Sequence, residues 1–139
     1  MIKLIIGNKG AGKTKKLIEL VNSCVQNSNG NVVCIEKEPK LTYDVSSKAR
    51  LLETETYLIN GHKAFYGFLA GICAGDYDVT DILVDATFKI VGREYEKLPQ
   101  FFEMLSELSE AADTNFYFTI SCDKEDLPVE IFDYCEELA

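Results

Sequence analysis

The run Gly7-Asn8-Lys9-Gly10-Ala11-Gly12-Lys13-Thr14 decides how the rest of this chain is read. It follows the apolar run Leu4-Ile5-Ile6 and precedes a segment whose apolar residues recur at helical spacing. Strand, glycine-rich turn and helix in that order are the setting of a phosphate-binding loop, and the residues fit Gly-x-x-x-x-Gly-Lys-[Ser/Thr]. Gly7, Gly10 and Gly12 free the backbone to turn tightly and aim successive N–H groups at one point, forming an anion nest. The following helix adds its unpaired N-terminal amides and the positive end of its dipole. Residues Gly7 to Lys15 are therefore the expected cradle for a phosphate chain: Gly7, Asn8, Lys9, Gly10, Ala11, Gly12, Lys13, Thr14 and Lys15. Within it the Lys13 ammonium would reach the terminal phosphates and the Thr14 hydroxyl would ligate Mg²⁺.

Working outward, Ile2 to Ile6 reads as a buried strand, and Leu17, Leu20, Val21, Cys24 and Val25 give one apolar face to a helix from Gly12 to about Ser28. Asn29-Gly30 stops that helix, and Asn31 to Glu36, with Val32 to Ile35 apolar, reads as a second buried strand. The result is a right-handed βαβ unit with the loop at a strand's C-terminal end, where α/β sheets bind ligands. Between 37 and 61, Leu41 to Val45 alternates apolar and polar, Ser46-Ser47 is a turn, and Ala49 to Thr54 suits a short strand. His62 to Ala74 reads as a helix ended by Gly75, with Gly67 and Gly71 admitting a close neighbour and His62 as an exposed helix-start residue.

Asp81-Ile82-Leu83-Val84-Asp85 is the second stretch that bears chemistry. Three apolar residues ending in Asp place a carboxylate at the tip of a buried strand, where Asp85 can hold Mg²⁺ through its water shell. Thr87 to Lys97 reads as a polar connection holding Lys89 and Arg93, followed by a long helix from Leu98 to Ala112. Phe116 to Ser121 reads as a further strand whose tip, Thr119 or Ser121, is a candidate phosphate sensor. Asp123 to Leu138 reads as a closing helix with Leu127, Ile131, Tyr134, Cys135 and Leu138 inward.

Composition bounds the same answer. A chain of 139 residues, 47% hydrophobic, suits one domain with a single core. Its longest apolar stretch, Ala64 to Ala74, is too short for a membrane span, and the N-terminus lacks the features of a signal peptide, so a cytoplasmic protein is expected. Five scattered cysteines without a Cys-x-x-Cys pair argue against disulfide and zinc frameworks. Net charge is −9, yet residues 1 to 50 hold 9 basic and 4 acidic side chains, whereas the remainder holds 5 and 19. The loop lies in the basic third, which draws an anion. The acidic remainder disfavours contact with a nucleic-acid backbone.

The order of loop, helix, strand, Asp-tipped strand, long helix and polar-tipped strand resembles a minimal P-loop NTPase of the RecA-like kind, and is similar to the core of type II thymidine kinases. The specific residues are Gly7 to Thr14, a Walker A loop, and Ile82 to Asp85, a Walker B strand. The resemblance implies an α/β three-layer sandwich with a mainly parallel central sheet, ATP or ADP with Mg²⁺ as ligands, and weak or partner-stimulated ATP hydrolysis. It makes Lys13, Asp85 and Glu38 the catalytic set, Glu38 (or Glu36) standing where RecA-like ATPases carry a water-orienting glutamate, and Thr14 and Asp85 the metal set. Ala86 departs from the pattern, because many ATPases have Glu there. Two alternatives follow: a nucleotide-sensing module that signals through residues 87 to 97 without turnover, or a nucleoside kinase-like phosphotransferase. The family also leaves room for a homo-oligomer or an unidentified protein partner, with Arg50 or Arg93 completing a neighbour's site.

Overall fold

The computed structural model describes residues 1–138, and it is an α/β fold built on one central sheet. In chain order the elements are β1 (Ile2–Ile6), α1 (Lys13–Asn27), β2 (Asn31–Glu36), β3 (Arg50–Glu53), α2 (His62–Gly75), β4 (Val79–Asp85), α3 (Thr87–Val91), α4 (Leu98–Ala112), β5 (Asn115–Ile120) and β6 (Glu136–Glu137). The six strands lie in the order β3-β2-β4-β5-β1-β6, and each pairing is parallel. Parallel neighbours demand crossovers that cover both faces of the sheet, which is why its strands read as continuous apolar runs.

Strand alternation divides the core into two layers. Leu4, Val33, Ile35, Ile82, Val84, Phe116 and Phe118 face α2 and α4, where Phe65, Leu69, Phe102 and Leu105 pack against them. Ile5, Val32, Cys34, Leu83 and Tyr117 face Leu17 and Val21 of α1. Phe101, Phe102, Phe116 and Phe118 form a ladder of ring contacts, with Phe102 edge-on to Phe118 at 5.6 Å between centroids. Such aromatic pairs add about 0.5–1.5 kcal/mol beyond the area they bury.

The crossover between β2 and β3 differs from the expected pattern. Residues 41–45 form no strand; the N–H groups of Asp44 and Val45 donate to the Leu41 carbonyl at 3.0 and 3.2 Å. That turn puts Leu41 and Val45 on the same side, both buried against the α1 layer. Alternation of apolar and polar residues therefore marked a turn here, because i and i+4 also share a face of one helical turn.

Two other segments also depart from expectation. Residues 87–91 form a short helix with Thr87, Phe88, Ile90 and Val91 buried, where a polar connection was expected. The charged residues nearby masked an apolar face. Residues 123–138 form no continuous helix, but two 3₁₀ turns, Lys124–Asp126 and Val129–Asp133, and then β6. Pro128 explains this: it has no N–H to donate and disfavours helical backbone at Leu127. Leu127, Ile131 and Cys135 are nevertheless buried, as their spacing required.

His62 begins α2 but is partly buried, with its ring edge-on to Phe101 at 5.7 Å. Gly67 and Gly71 admit no close neighbour: a Cβ built at either meets nothing within 4 Å. At Gly30 the same atom would lie 2.0 Å from the Asp78 carbonyl oxygen. Gly67→Ala is thus expected to raise the unfolding free energy by about 0.5–1 kcal/mol through reduced backbone entropy. Gly30→Ala should lower it by about 1–3 kcal/mol, since main chain must move. Urea unfolding of the two variants checks both signs.

Candidate functional site

The strand tips converge on one edge of the sheet. Ile6 is in register with Ile120, Val84 with Phe118, and Glu36 with both Asp85 and Glu53. The chain leaves β1 through the glycine-rich loop at this edge, and the Gly7 amide donates to the Ile120 carbonyl at 3.1 Å. Gly10 (φ +89°) and Gly12 (φ +83°) occupy the left-handed region that other residues rarely adopt. Gly12 caps α1, and no side chain satisfies the helix's first amides. Anions are stabilised at such an end by open N–H groups and the helix dipole together.

Lys13 is only 9% exposed. Its ammonium folds back into the loop and donates to the Asn8 carbonyl at 3.0 Å. The Asn8 side-chain amide donates to Asp123 at 2.5 Å, tying the loop to the segment after β5. The expected cradle residues Lys9, Gly10, Gly12, Lys13, Thr14 and Lys15 all line a cavity of about 620 Å³. The expected cradle residues Gly7, Asn8 and Ala11 are not part of that lining, and a Cβ at Gly7 would stand 2.9 Å from that of Ala11.

Asp85 lines the same cavity, 71 residues from Thr14 in the chain. The Thr14 hydroxyl donates to Asp85 Oδ2 at 3.1 Å. On the other side the Thr119 hydroxyl donates to Asp85 Oδ1 at 2.5 Å, as the pairing of β4 with β5 allows. Thr119 is fully buried and serves the carboxylate, so it is not exposed to a phosphate; Ser121 is the strand-tip hydroxyl on the cavity wall. Thr14 and Asp85 present two hard oxygen donors side by side. Such a pair suits Mg²⁺, which takes one or two protein oxygens and fills its octahedron with water and ligand phosphates. Among the described residues no three His, Cys, Asp or Glu side chains are grouped to hold a metal by themselves.

The far wall comes from α3 and its sequel. Phe88, Lys89 and Arg93 line the cavity, and the Arg93 guanidinium lies 5.0 Å from the centre of the Phe88 ring while donating to the Tyr95 hydroxyl at 3.3 Å. Arg50 starts β3, at the opposite edge of the sheet, beside a separate hollow.

Glu36 and Glu38 take distinct parts. Glu38 is exposed and pairs with Lys40 at 3.3 Å. It shares a hollow of about 190 Å³ with Thr14, Asp85, Lys89 and Glu36. Glu36 is buried and accepts the backbone N–H groups of Lys40 and Leu41 at 2.9 and 3.4 Å, clamping the turn on which Glu38 stands. Burial pushes its carboxyl above the ordinary range; those two N–H groups oppose the shift, and the Glu53 and Asp85 carboxylates add to it.

No known protein-family model matches this chain, and no curated protein matches it in sequence.

The raised pKa of Glu36 sets a pH dependence. Its contribution to stability is complete below its unfolded value, near 4.5, and is lost as pH rises through the higher folded value. Glu36→Gln does not titrate, so the stability of wild type relative to this variant should fall over the pH interval above about 4.5. Paired urea titrations across that interval measure the difference.

Proposed function

We propose that this chain is a small P-loop nucleotide-binding protein of RecA-like kind that holds ATP or ADP with Mg²⁺ and hydrolyses ATP slowly or when a partner stimulates it. The observation that carries the reading is the meeting of Lys13, Thr14 and Asp85 in one cavity, from segments far apart in sequence. A glycine-rich turn alone would need neither the buried lysine nor the carboxylate against its threonine.

In this reading the loop amides and the N-terminus of α1 take the β-phosphate, and Lys13 exchanges its bond to the Asn8 carbonyl for the bridging and terminal phosphate oxygens. The Thr14 hydroxyl and the Asp85 carboxylate would hold Mg²⁺, which neutralises charge on the phosphates. Glu38, in the adjoining hollow, orients a water in line with the γ-phosphorus. The new O–P bond forms as the bond from the γ-phosphorus to the β–γ bridging oxygen breaks; that oxygen and the electron pair leave with ADP, and both protons of the water leave with the inorganic phosphate as dihydrogen phosphate. Lys89 and Arg93 lie on the cavity wall where they can offset the charge that accumulates.

A second reading is favoured by one specific residue. Ala86 follows Asp85 and cannot act as a base, which suits a module that holds nucleotide and reports occupancy through residues 87 to 97. The cavity-lining Phe88 and Arg93 belong to that segment, and Phe88 packs edge-on to Tyr95 at 5.4 Å. A phosphotransferase with a nucleoside acceptor rests on the family resemblance alone.

Mg²⁺-ADP or Mg²⁺-ATP at about 100 times Kd should stabilise the fold by about 2.7 kcal/mol, raising the melting temperature, and Lys13→Ala should remove that shift. Absence of any shift at millimolar nucleotide contradicts the proposal. Phosphate release that disappears in Glu38→Gln identifies the ATPase; bound nucleotide without release identifies the sensing module.

A further inference from the structure

A second cleft, of about 680 Å³, opens between the start of α2 and the exposed side of α4. It shares no lining residue with the cavity at the glycine-rich loop. Tyr66, Phe101 and Met104 supply apolar surface, and Met104 is 38% exposed. The volume falls within the range of small-molecule sites, about 300–1,000 Å³.

Its charge runs against that of the chain. The protein has 23 acidic and 14 basic residues, yet the only charged residues among the described lining are Lys63 and Lys97. Lys97 pairs with Glu94 at 2.8 Å, outside the lining. Lys63 has no ion pair among the described residues. Glu94 and Glu96 also act on His62 from outside the lining. Lys63 is thus the one lysine of the described lining without an ion pair, and it offers a partner to one negative charge, not to a polyphosphate.

His62 gives a second, independent sign. Both its ring nitrogens are shielded from solvent and have no hydrogen-bond partner. Gly61 fixes its backbone, with φ +88° and an N–H donated to the Ile90 carbonyl at 3.1 Å, while its ring lies edge-on to Phe101. Buried polar groups are ordinarily paired, and an orphan is costly until something supplies the partner. A neutral imidazole offers one donor and one acceptor, and a ligand's polar group entering the cleft can take either as the ring turns toward it.

We propose that this cleft is a binding site for a small aromatic monoanion, such as an aryl carboxylate or sulfonate. The ring lies against Tyr66 and the exposed Met104, the anionic group faces Lys63, and Asn60 and Gln100 border it with amide donors. This site is independent of the proposed nucleotide site, and failure of either leaves the other standing.

The test is a fluorescence titration of the full chain with 1-anilinonaphthalene-8-sulfonate, an aryl sulfonate. Saturable enhancement with one site is expected. Lys63→Glu and Met104→Asp, both at exposed positions, should each weaken binding at least about tenfold without altering the melting temperature, whereas Lys13→Ala should leave it unchanged. His62→Phe, which keeps the ring contact and removes the nitrogens, should also weaken it. The neutral analogue N-phenyl-1-naphthylamine should bind more weakly than the sulfonate. The proposal is overturned by no enhancement at millimolar probe, by affinity indifferent to Lys63→Glu and Met104→Asp, by equal binding of the neutral analogue, or by displacement with Mg²⁺-ATP.

Discussion

The Asp85 carboxylate, held between the hydroxyls of Thr14 and Thr119, is the contact on which the arrangement of the candidate site depends. Three elements meet there: the start of α1, the tip of β4 and the end of β5. A carboxylate partly withdrawn from water needs donors, and these two hydroxyls supply them while fixing its orientation. The glycine-rich loop is thereby referred to the centre of the sheet, not only to the strand from which it springs. Loop amides, lysine and carboxylate consequently face a single cavity.

Parallel pairing has the same consequence on a larger scale. Because each pairing between strands is parallel, all their C-terminal ends fall on one edge, and the residues after them are those freed from packing. Glu36, Asp85 and Thr119 occupy that edge together with the loop. The turn from residue 37 to 41 continues the wall, clamped by the buried Glu36 so that the exposed Glu38 stands beside Thr14 and Asp85. Glu36 and Glu38 are two residues apart, yet one is buried and holds the turn while the other is exposed and pairs with Lys40. Burial makes the difference.

The segment from Ala86 to Lys97 borders both the cavity at the loop and the cleft at His62. Its first part lines the cavity at the loop, through Phe88, Lys89 and Arg93, and its last residue lines the cleft at His62. Between them the Ile90 carbonyl holds Gly61 at the mouth of α2. A short helix buried on one side and charged on the other is suited to that position: Phe88, Ile90 and Val91 anchor it, and Lys89 stays at the surface.

Much of this was legible in the residues. Glycine spacing, continuous apolar strands and the 3.6-residue period of α1, α2 and α4 depend on local backbone physics, so they identify the α/β class, the loop and the Asp-tipped strand without reference to neighbours. The same physics misled where two geometries share a pattern, as at Leu41 and Val45, or where one proline outweighs a good period, as at Pro128. What only tertiary structure decided is adjacency. That β5 lies beside β4, bringing Thr119 to Asp85, that Asp123 reaches Asn8, and that His62 loses its hydrogen-bond partners against Phe101 all follow from strand order and helix packing. Those arrangements satisfy burial over the whole chain at once, and no short window of sequence contains them.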